Sequence, residues 1–343
     1  MKLAIHKNDL KGYFSERWIN YCHNNSIDYK IVNCYSNNIM EELSDCDGLL
    51  WHFSHAHPID FQIATHILNS VKANGKKIFP NINSCWHFDD KVAQKYLLES
   101  IGSPVIKSWV YYTKKNAYQA IEGLVYPKVF KLKGGAGSAN VKLIENKKEA
   151  KRYVTKSFGK GFRQFDRFTL FNDAISMFKK NKISVKKLAI EFIKIFIKSD
   201  YEKVKGNENG YVYIQEFLPN NNFDIRIIVI GGRAFAIKRM VRENDFRASG
   251  SGLILYEKDN FDIRCVQIAF ETSEKIGSNC LAYDFLFDDE NQPLIAEVSY
   301  GFSQAGYDDC TGYWDKKLTW HKGKFVPQNW MVDDMIEKIN STK

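Results

Sequence analysis

Asp284 and Glu297 are the residues of this chain best placed to hold a divalent cation. They stand in LAYDFLFDDENQPLIAEVS (281–299), two apolar strands around a polar turn, with one acid on either side of it. Paired antiparallel across DDENQ, the two carboxylates come within about a residue of each other. Alternation puts Glu297 and Ser299 on one face, while Tyr283, Phe285 and Phe287 take the face opposite Asp284. An acid in the middle of such a strand is explained by a cation with oxygen ligands, or else by a solvated strand face.

A second segment suits phosphate. In YPKVFKLKGGAGSANVKLI (126–144) an alternating strand carrying Lys131 runs into Gly134, Gly135, Ala136, Gly137 and Ser138, and a second strand follows from Val141. Glycines permit positive φ and bring backbone N–H groups against phosphate oxygens, and the lysine adds positive charge. No GK[ST] follows and the GxGxxG order is absent, so this is neither a Walker loop nor a dinucleotide fingerprint. Lys128 and Lys133 flank Lys131 and read as surface charge. Upstream, Lys91 opens the helical segment HFDDKVAQKYLLESIGSPV behind an aspartate cap, and Gly102 and Pro104 end it. Downstream come YVYIQEFLP (211–219) and FDIRIIVIGGRAFAIKRMVRENDFRASGSG (223–252).

These five segments, in this order, resemble the ATP-grasp superfamily over residues 80 to 312, specifically ligases similar to the ribosomal-protein glutamate ligase and, more distantly, D-alanine:D-alanine ligase. The resemblance implies an α/β (α+β) ATP-grasp fold, with an N-terminal parallel-sheet lobe followed by two lobes clamping ATP. It implies that Lys91 and Lys131 hold α and β phosphates with Gly134, Gly135, Gly137 and Ser138, and that backbone groups of Gln215, Glu216, Phe217 and Leu218 bond the adenine edge. Asp224 matches a ribose-binding acid, and Arg226, Lys238, Arg239 and Arg247 match contacts to phosphates and the reacting group. Asp284 and Glu297 match carboxylates for Mg2+, with Ser299 where the family has asparagine. A hydroxyl is a weaker ligand than an amide carbonyl, which leaves open whether one or two ions bind. Tyr300 and Ser303 are substrate candidates in a segment that lacks the family's proline.

The implied chemistry is transfer of the γ-phosphoryl group to a carboxylate, giving an acyl phosphate that an amine attacks. Positioning and charge neutralisation carry such a reaction without a protein nucleophile. The chain agrees, having no GxSxG or HExxH. An ATP-grasp kinase acting on a hydroxyl and a non-catalytic ATP-binding module are the alternatives.

Five units are expected to position these groups. Residues 1–88 alternate strand and helix as a parallel α/β lobe. Residues 89–125 form a linker helix and strand, 126–218 a small ATP-grasp lobe with a basic helical insertion at 147–207, 219–313 the C-terminal core with the metal hairpin, and 314–343 a tail. His52, His55 and His57 leave the C-terminal end of an expected strand, where such sheets bind ligands, and are read as substrate contacts.

At 343 residues and 44 % apolar, the chain can bury a core divided among several lobes. Seven cysteines without a CxxC pair read as reduced core residues. The N-terminus interrupts its apolar run with charge at once, so no signal peptide and a cytoplasmic location are expected. From Lys147 to Lys205 there are 17 Lys and Arg against 6 Asp and Glu, while the whole chain has a net charge of +9. Within that stretch 184–199 reads as a basic amphipathic helix suited to a membrane surface, a neighbouring helix or a second copy in a homodimer. No nucleic-acid module is recognisable. The expected partners are a small-molecule or glycan-linked carboxylate and an amine. The ending from Gly312 resembles tails of ATP-grasp proteins in bacterial surface-polysaccharide clusters, and Trp314, Trp320 and Trp330 are read as candidate sugar-stacking faces.

Overall fold

The computed structural model describes residues 1–343 except 9–11, 55–56, 136–139, 165–170, 172–173, 176–177, 179–182, 198–199, 242–252 and 342–343. Four parallel strands, Leu3–His6, Tyr29–Val32, Gly48–Leu50 and Lys77–Phe79, form the first sheet, with Leu3–His6 and Gly48–Leu50 at its centre. Both central strands are buried along their length, as parallel strands covered on two faces must be. Helices Ser15–Asn24 and Asp60–Ala73 supply crossovers where the sequence alternation expects them.

The second sheet is antiparallel, in the spatial order Ser108–Tyr111, Val212–Glu216, Lys128–Lys131, Val141–Ile144. Phe130, Val212, Ile214 and Ile144 pack on one side against Ala117 and Ile121 of helix Lys114–Glu122 and Val154 of helix Lys147–Ser157. Ser108–Tyr111 and the helix after it therefore belong to this small lobe, which begins ahead of the boundary expected at residue 126. Alternation leaves Lys131 with Tyr213 and Gln215 on the other side, facing the third sheet.

That third sheet runs Pro293–Ser299, Cys280–Phe287, Phe223–Ile230, Arg233–Met240, Gly312–Asp315, Trp320–Lys322, with Ile254–Leu255 also pairing Arg233–Met240. One face carries Ile225, Ile227, Val229, Tyr283 and Phe285 onto helix Ile263–Ile276. On the other face, Ile228, Ile230, Phe235, Ile237, Cys280 and Ala282 lie under Met331, Val332 and Met335 of helix Pro327–Asn340. Further along those same strands this face turns charged.

The last 30 or so residues are part of this architecture: two strands extend the third sheet, and helix Pro327–Asn340 packs on the first sheet and on helix Ser15–Asn24. At Gly48 the approach is so close that a Cβ would stand 3.1 Å from both Lys77 O and Met335 Sδ. Of the tail tryptophans read as sugar-stacking faces, Trp314 is removed from solvent, while Trp320 and Trp330 are half-buried. Trp314 is buried against Trp320 at 4.5 Å between ring centroids, and Trp330 stacks on Phe325 at 4.8 Å. Among the described residues no helix is long and apolar enough to cross a membrane.

The substitution Met331→Ala, at a fully buried position of this clasp, is expected to cost about 2–5 kcal/mol of stability in urea unfolding. A loss below about 0.5 kcal/mol would show that the helix does not hold the lobes together.

Candidate active site

The charged end of the third sheet is a row of opposed side chains. Asp284 pairs with Glu297 on one side and Arg226 on the other, and Asp224 pairs with Arg239 one step along. Directly opposed residues of antiparallel strands share a face, so all five point into the space between the second and third sheets. A β-bulge makes this possible. Phe285 pairs with Ile295 but Asp284 with Glu297, leaving Ala296 as an extra residue. Without it Glu297 would fall opposite Tyr283 and point into the apolar core.

Arg239 donates two hydrogen bonds to Asp224, at 2.7 and 2.6 Å, and its Nη2 lies 3.1 Å from Asp284 Oδ2. Arg226 Nε lies 3.4 Å from Asp284 Oδ1. Burial alone would raise the Asp284 carboxyl, but Arg226 and Arg239 outweigh it and hold it below the usual carboxylate range. For Asp224 burial prevails and the carboxyl is raised despite Arg239. The resemblance makes Asp224 a ribose acid, but the structure commits its side chain to Arg239, which corrects that expectation.

Two buried lysines face this row with opposite electrostatics. Lys91 Nζ lies 3.2 Å from Glu297 Oε1 and donates to Gly135 O at 3.0 Å. Burial would lower its pKa, yet Glu297 and Asp89 raise it. Lys131 has no salt-bridge partner among the described residues. Burial lowers it to about 8, Lys91 pushes the same way, and Glu297 and Asp284 only partly compensate. An unpaired buried ammonium is costly unless an anion arrives.

Local structure explains why Lys91 reaches the site. Asp90 caps its helix by accepting from Val92 N and Ala93 N. Asp89, at φ +55°, accepts from Gly135 N at 2.6 Å and lies 3.6 Å from Lys205 Nζ. A Cβ on Gly134 would stand 3.0 Å from Asp89 Oδ2, so a side chain there would crowd the Asp89 carboxylate. Sequence reading missed Asp89: the DDK run was visible, but the left-handed backbone that aims the first aspartate was not. Gly137 and Ser138 lie outside the described residues, as do Arg247 and His55.

The remaining candidates divide. Gln215 is buried beside the site and donates to Ser108 Oγ at 3.0 Å, and Phe217 and Leu218 follow directly after the strand Val212–Glu216. The Glu216 side chain lies on the far side of that sheet with Lys128, at 2.5 Å, so Lys128 is a buried ion-pair partner and not the surface charge expected. Lys238 is also a correction: it pairs with Ile225 on the face opposite Arg239, with Nζ 3.7 Å from the Phe223 ring centroid. Tyr300 is buried, donates its hydroxyl to Phe53 O and packs on Phe88, so it has no surface for a substrate. Ser303 is exposed. His52 is buried, stacked on Phe14 at 3.7 Å, with Nδ1 accepting from Phe14 N. His57 stacks on Tyr35 at 4.7 Å.

Asp284, Glu297 and Ser299 were tested as a cation site. Asp284 Oδ1 is buried without a hydrogen bond among the described residues. Ser299 Oγ donates to Gly301 O at 2.9 Å and keeps its lone pairs. Among the described residues no cluster of three or more His, Cys, Asp or Glu side chains is arranged to hold a metal. Two carboxylates and a hydroxyl suit Mg2+, which keeps several waters and shares its shell with substrate phosphates.

Comparison with known proteins agrees with this architecture. Residues 170–312 match the family model of the RimK-like ATP-grasp domain, a span under half the chain. No curated protein matches. The D-cycloserine synthetase DcsG superposes with a TM-score of 0.60 at 11 % identity, covering 99 % of this chain and 100 % of that one. D-alanine–D-alanine ligase from Bacillus anthracis, complexed with ATP, gives 0.57 at 12 %, covering 100 % and 99 %. The RimK domain protein ATP-grasp from Sphaerobacter thermophilus gives 0.55 at 14 %, covering 98 % and 100 %. The chain has the ATP-grasp fold, as the resemblance implied.

Arg239→Met leaves buried Asp224 and half-buried Asp284 without their shared counter-charge and is expected to cost about 3–5 kcal/mol at neutral pH. With the arginine gone, the folded state holds protons on these acids more tightly than the unfolded chain. Part of the loss should therefore return as pH falls into the carboxylate range. Denaturant melts at the two pH values that show equal losses would mean the pair is not charged.

Proposed function

We propose that this chain is an ATP-dependent carboxylate–amine ligase. The observation that carries the reading is the pair of opposed carboxylates, Asp284 and Glu297, facing buried Lys91, Lys131 and Arg239 and half-buried Arg226 between two antiparallel sheets. Such a site accepts a polyphosphate and neutralises charge as phosphoryl moves. Among the described residues it contains no activated nucleophile of its own. The cysteines are all buried, and burial raises thiols such as Cys22, to about 11, and Cys85, to about 12.

Lys131 and Lys91 bind phosphate oxygens, and the glycine hairpin, anchored through Gly135 to Asp89 and Lys91, covers them. Arg239 and Arg226 stand where negative charge grows as the γ-phosphoryl group passes to the substrate carboxylate, and Asp224 holds Arg239 in place. An amine then attacks the acyl phosphate, and inorganic phosphate leaves. Asp284, Glu297 and Ser299 would hold Mg2+, which would supply Lewis-acid neutralisation of phosphate oxygens. Gln215 to Leu218 line the adenine edge. The acid is a small carboxylate, either an amino acid or a sugar-linked acid. The sugar-linked reading rests on the resemblance of the tail, since Trp314 is buried and Trp320 and Trp330 are half-buried against other aromatic rings. A cytoplasmic location follows from the use of ATP.

Release of ADP with Mg2+ and ATP, screened over amino acids and uronic acids with amines, tests the reading. Asp284→Asn with Glu297→Gln should lower it at least about 100-fold. ADP formed with an alcohol as the sole acceptor, together with a stable phosphate ester of that alcohol, would instead show a kinase.

Lys131 gives a second test. Nucleotide binding needs its charged form, so affinity for ADP should fall as pH rises through about 8. Lys131→Arg should remove that fall, as read by calorimetry between about pH 7 and pH 9. A pH-independent affinity in the unsubstituted chain would remove Lys131 from the phosphate site.

A further inference from the structure

Apart from Lys205, whose Nζ lies 3.6 Å from Asp89, no described residue of the basic insertion belongs to the site just described. Residues 147–205 hold 17 Lys and Arg against 6 Asp and Glu in a chain of net charge +9, so the remainder is slightly acidic and the positive charge is concentrated here. Helix Val185–Lys194 is strongly amphipathic and has no buried residue. Around and just after it, Phe192 is 49 % exposed, Ile193 54 %, Phe196 73 % and Ile197 61 %. Folded chains rarely leave so many large apolar side chains together in water without a use.

A cavity of about 920 Å3 joins this segment to the small lobe. Its apolar wall includes Phe130, Phe162 and Phe196. Arg152, Lys156, Lys160 and Arg163 ring it, all four exposed and, among the described residues, without a salt-bridge partner. Glu149, the one carboxylate among the described residues that line it, accepts a bond from Glu145 N. The cavity lies on the outer side of the small-lobe sheet, because Phe130 points away from Lys131.

We propose that this surface docks the small lobe onto the headgroup layer of an anionic lipid bilayer. The four cations meet lipid phosphates, while Ile193, Phe196 and Ile197 enter the boundary between headgroups and acyl chains. Charge selects this occupant over a second copy of the chain, since a two-fold contact through this patch would press two strongly positive surfaces together. Exposed Phe and Ile side chains likewise have no counterpart on a nucleic-acid backbone. The nucleotide cleft is on the other side of the sheet and stays open to solvent.

Co-sedimentation of the full chain with phosphatidylglycerol–phosphatidylcholine vesicles, against phosphatidylcholine alone, tests this. Binding only to the anionic vesicles, weakened by salt, is expected. Arg152→Gln with Arg163→Gln should weaken it about 30-fold, at about 1 kcal/mol per charge. Phe196→Ser with Ile197→Ser should weaken it at least about tenfold. Both variants should keep the melting temperature and ADP affinity of the parent, since the substituted side chains are exposed and remote from the cleft. Equal pelleting with both vesicle types would overturn the proposal. So would anionic binding that the Phe196/Ile197 variant keeps in full, which marks a general polyanion surface. A dimer in sedimentation that this variant dissolves would also overturn it.

Discussion

The rest of the site depends on charge balance in a place where water is scarce. Arg239 is shared between Asp224 and Asp284, Arg226 faces Asp284, and Lys91 faces Glu297. Each group is tolerable inside the fold because another offsets it; removing one leaves a buried charge without a counterpart. Lys131 is the exception, a buried cation with no salt-bridge partner among the described residues. The site is thus arranged one anion short at Lys131 of the second sheet, which is the condition under which a phosphate is held firmly.

Backbone geometry sets that balance before any ligand arrives. The bulge at Ala296 aims Glu297 at the cleft, and the left-handed Asp89 ties the glycine loop to the start of the Lys91 helix. The apolar half of the same sheet face, clamped by helix Pro327–Asn340, keeps the strands in register. Lys91 reaches Glu297 across the cleft while its backbone N bonds Lys133 O. The glycine loop and the carboxylate hairpin are therefore coupled through one side chain.

Much of this was legible in the sequence. The hairpin from Leu281 to Ser299 shows its pairing because the turn and both apolar runs are local, and the parallel first lobe shows in its alternation. The missing parts depend on contacts distant in sequence. Asp224 looks free until Arg239 is brought beside it by strand pairing, and Trp314 looks available until the tail folds back as sheet. Lys238 is a different lesson. Strand alternation alone separates it from Arg239, and only the resemblance grouped them. Tyr300 lies in a polar-looking segment, and only packing against Phe53 and Phe88 shows it to be core. The charge of the insertion is plain from composition, but the approach of Phe196 to the ring of Arg152, Lys156, Lys160 and Arg163 is not.

The central claim is that these residues move a phosphoryl group onto a carboxylate. The most direct test labels the carboxylate oxygens of the accepted acid with heavy oxygen and follows the mass of the inorganic phosphate released during turnover. An acyl phosphate intermediate carries one labelled oxygen into the phosphate, and that transfer is expected. Phosphate released without label, while ADP and the coupled product still form, would contradict the account.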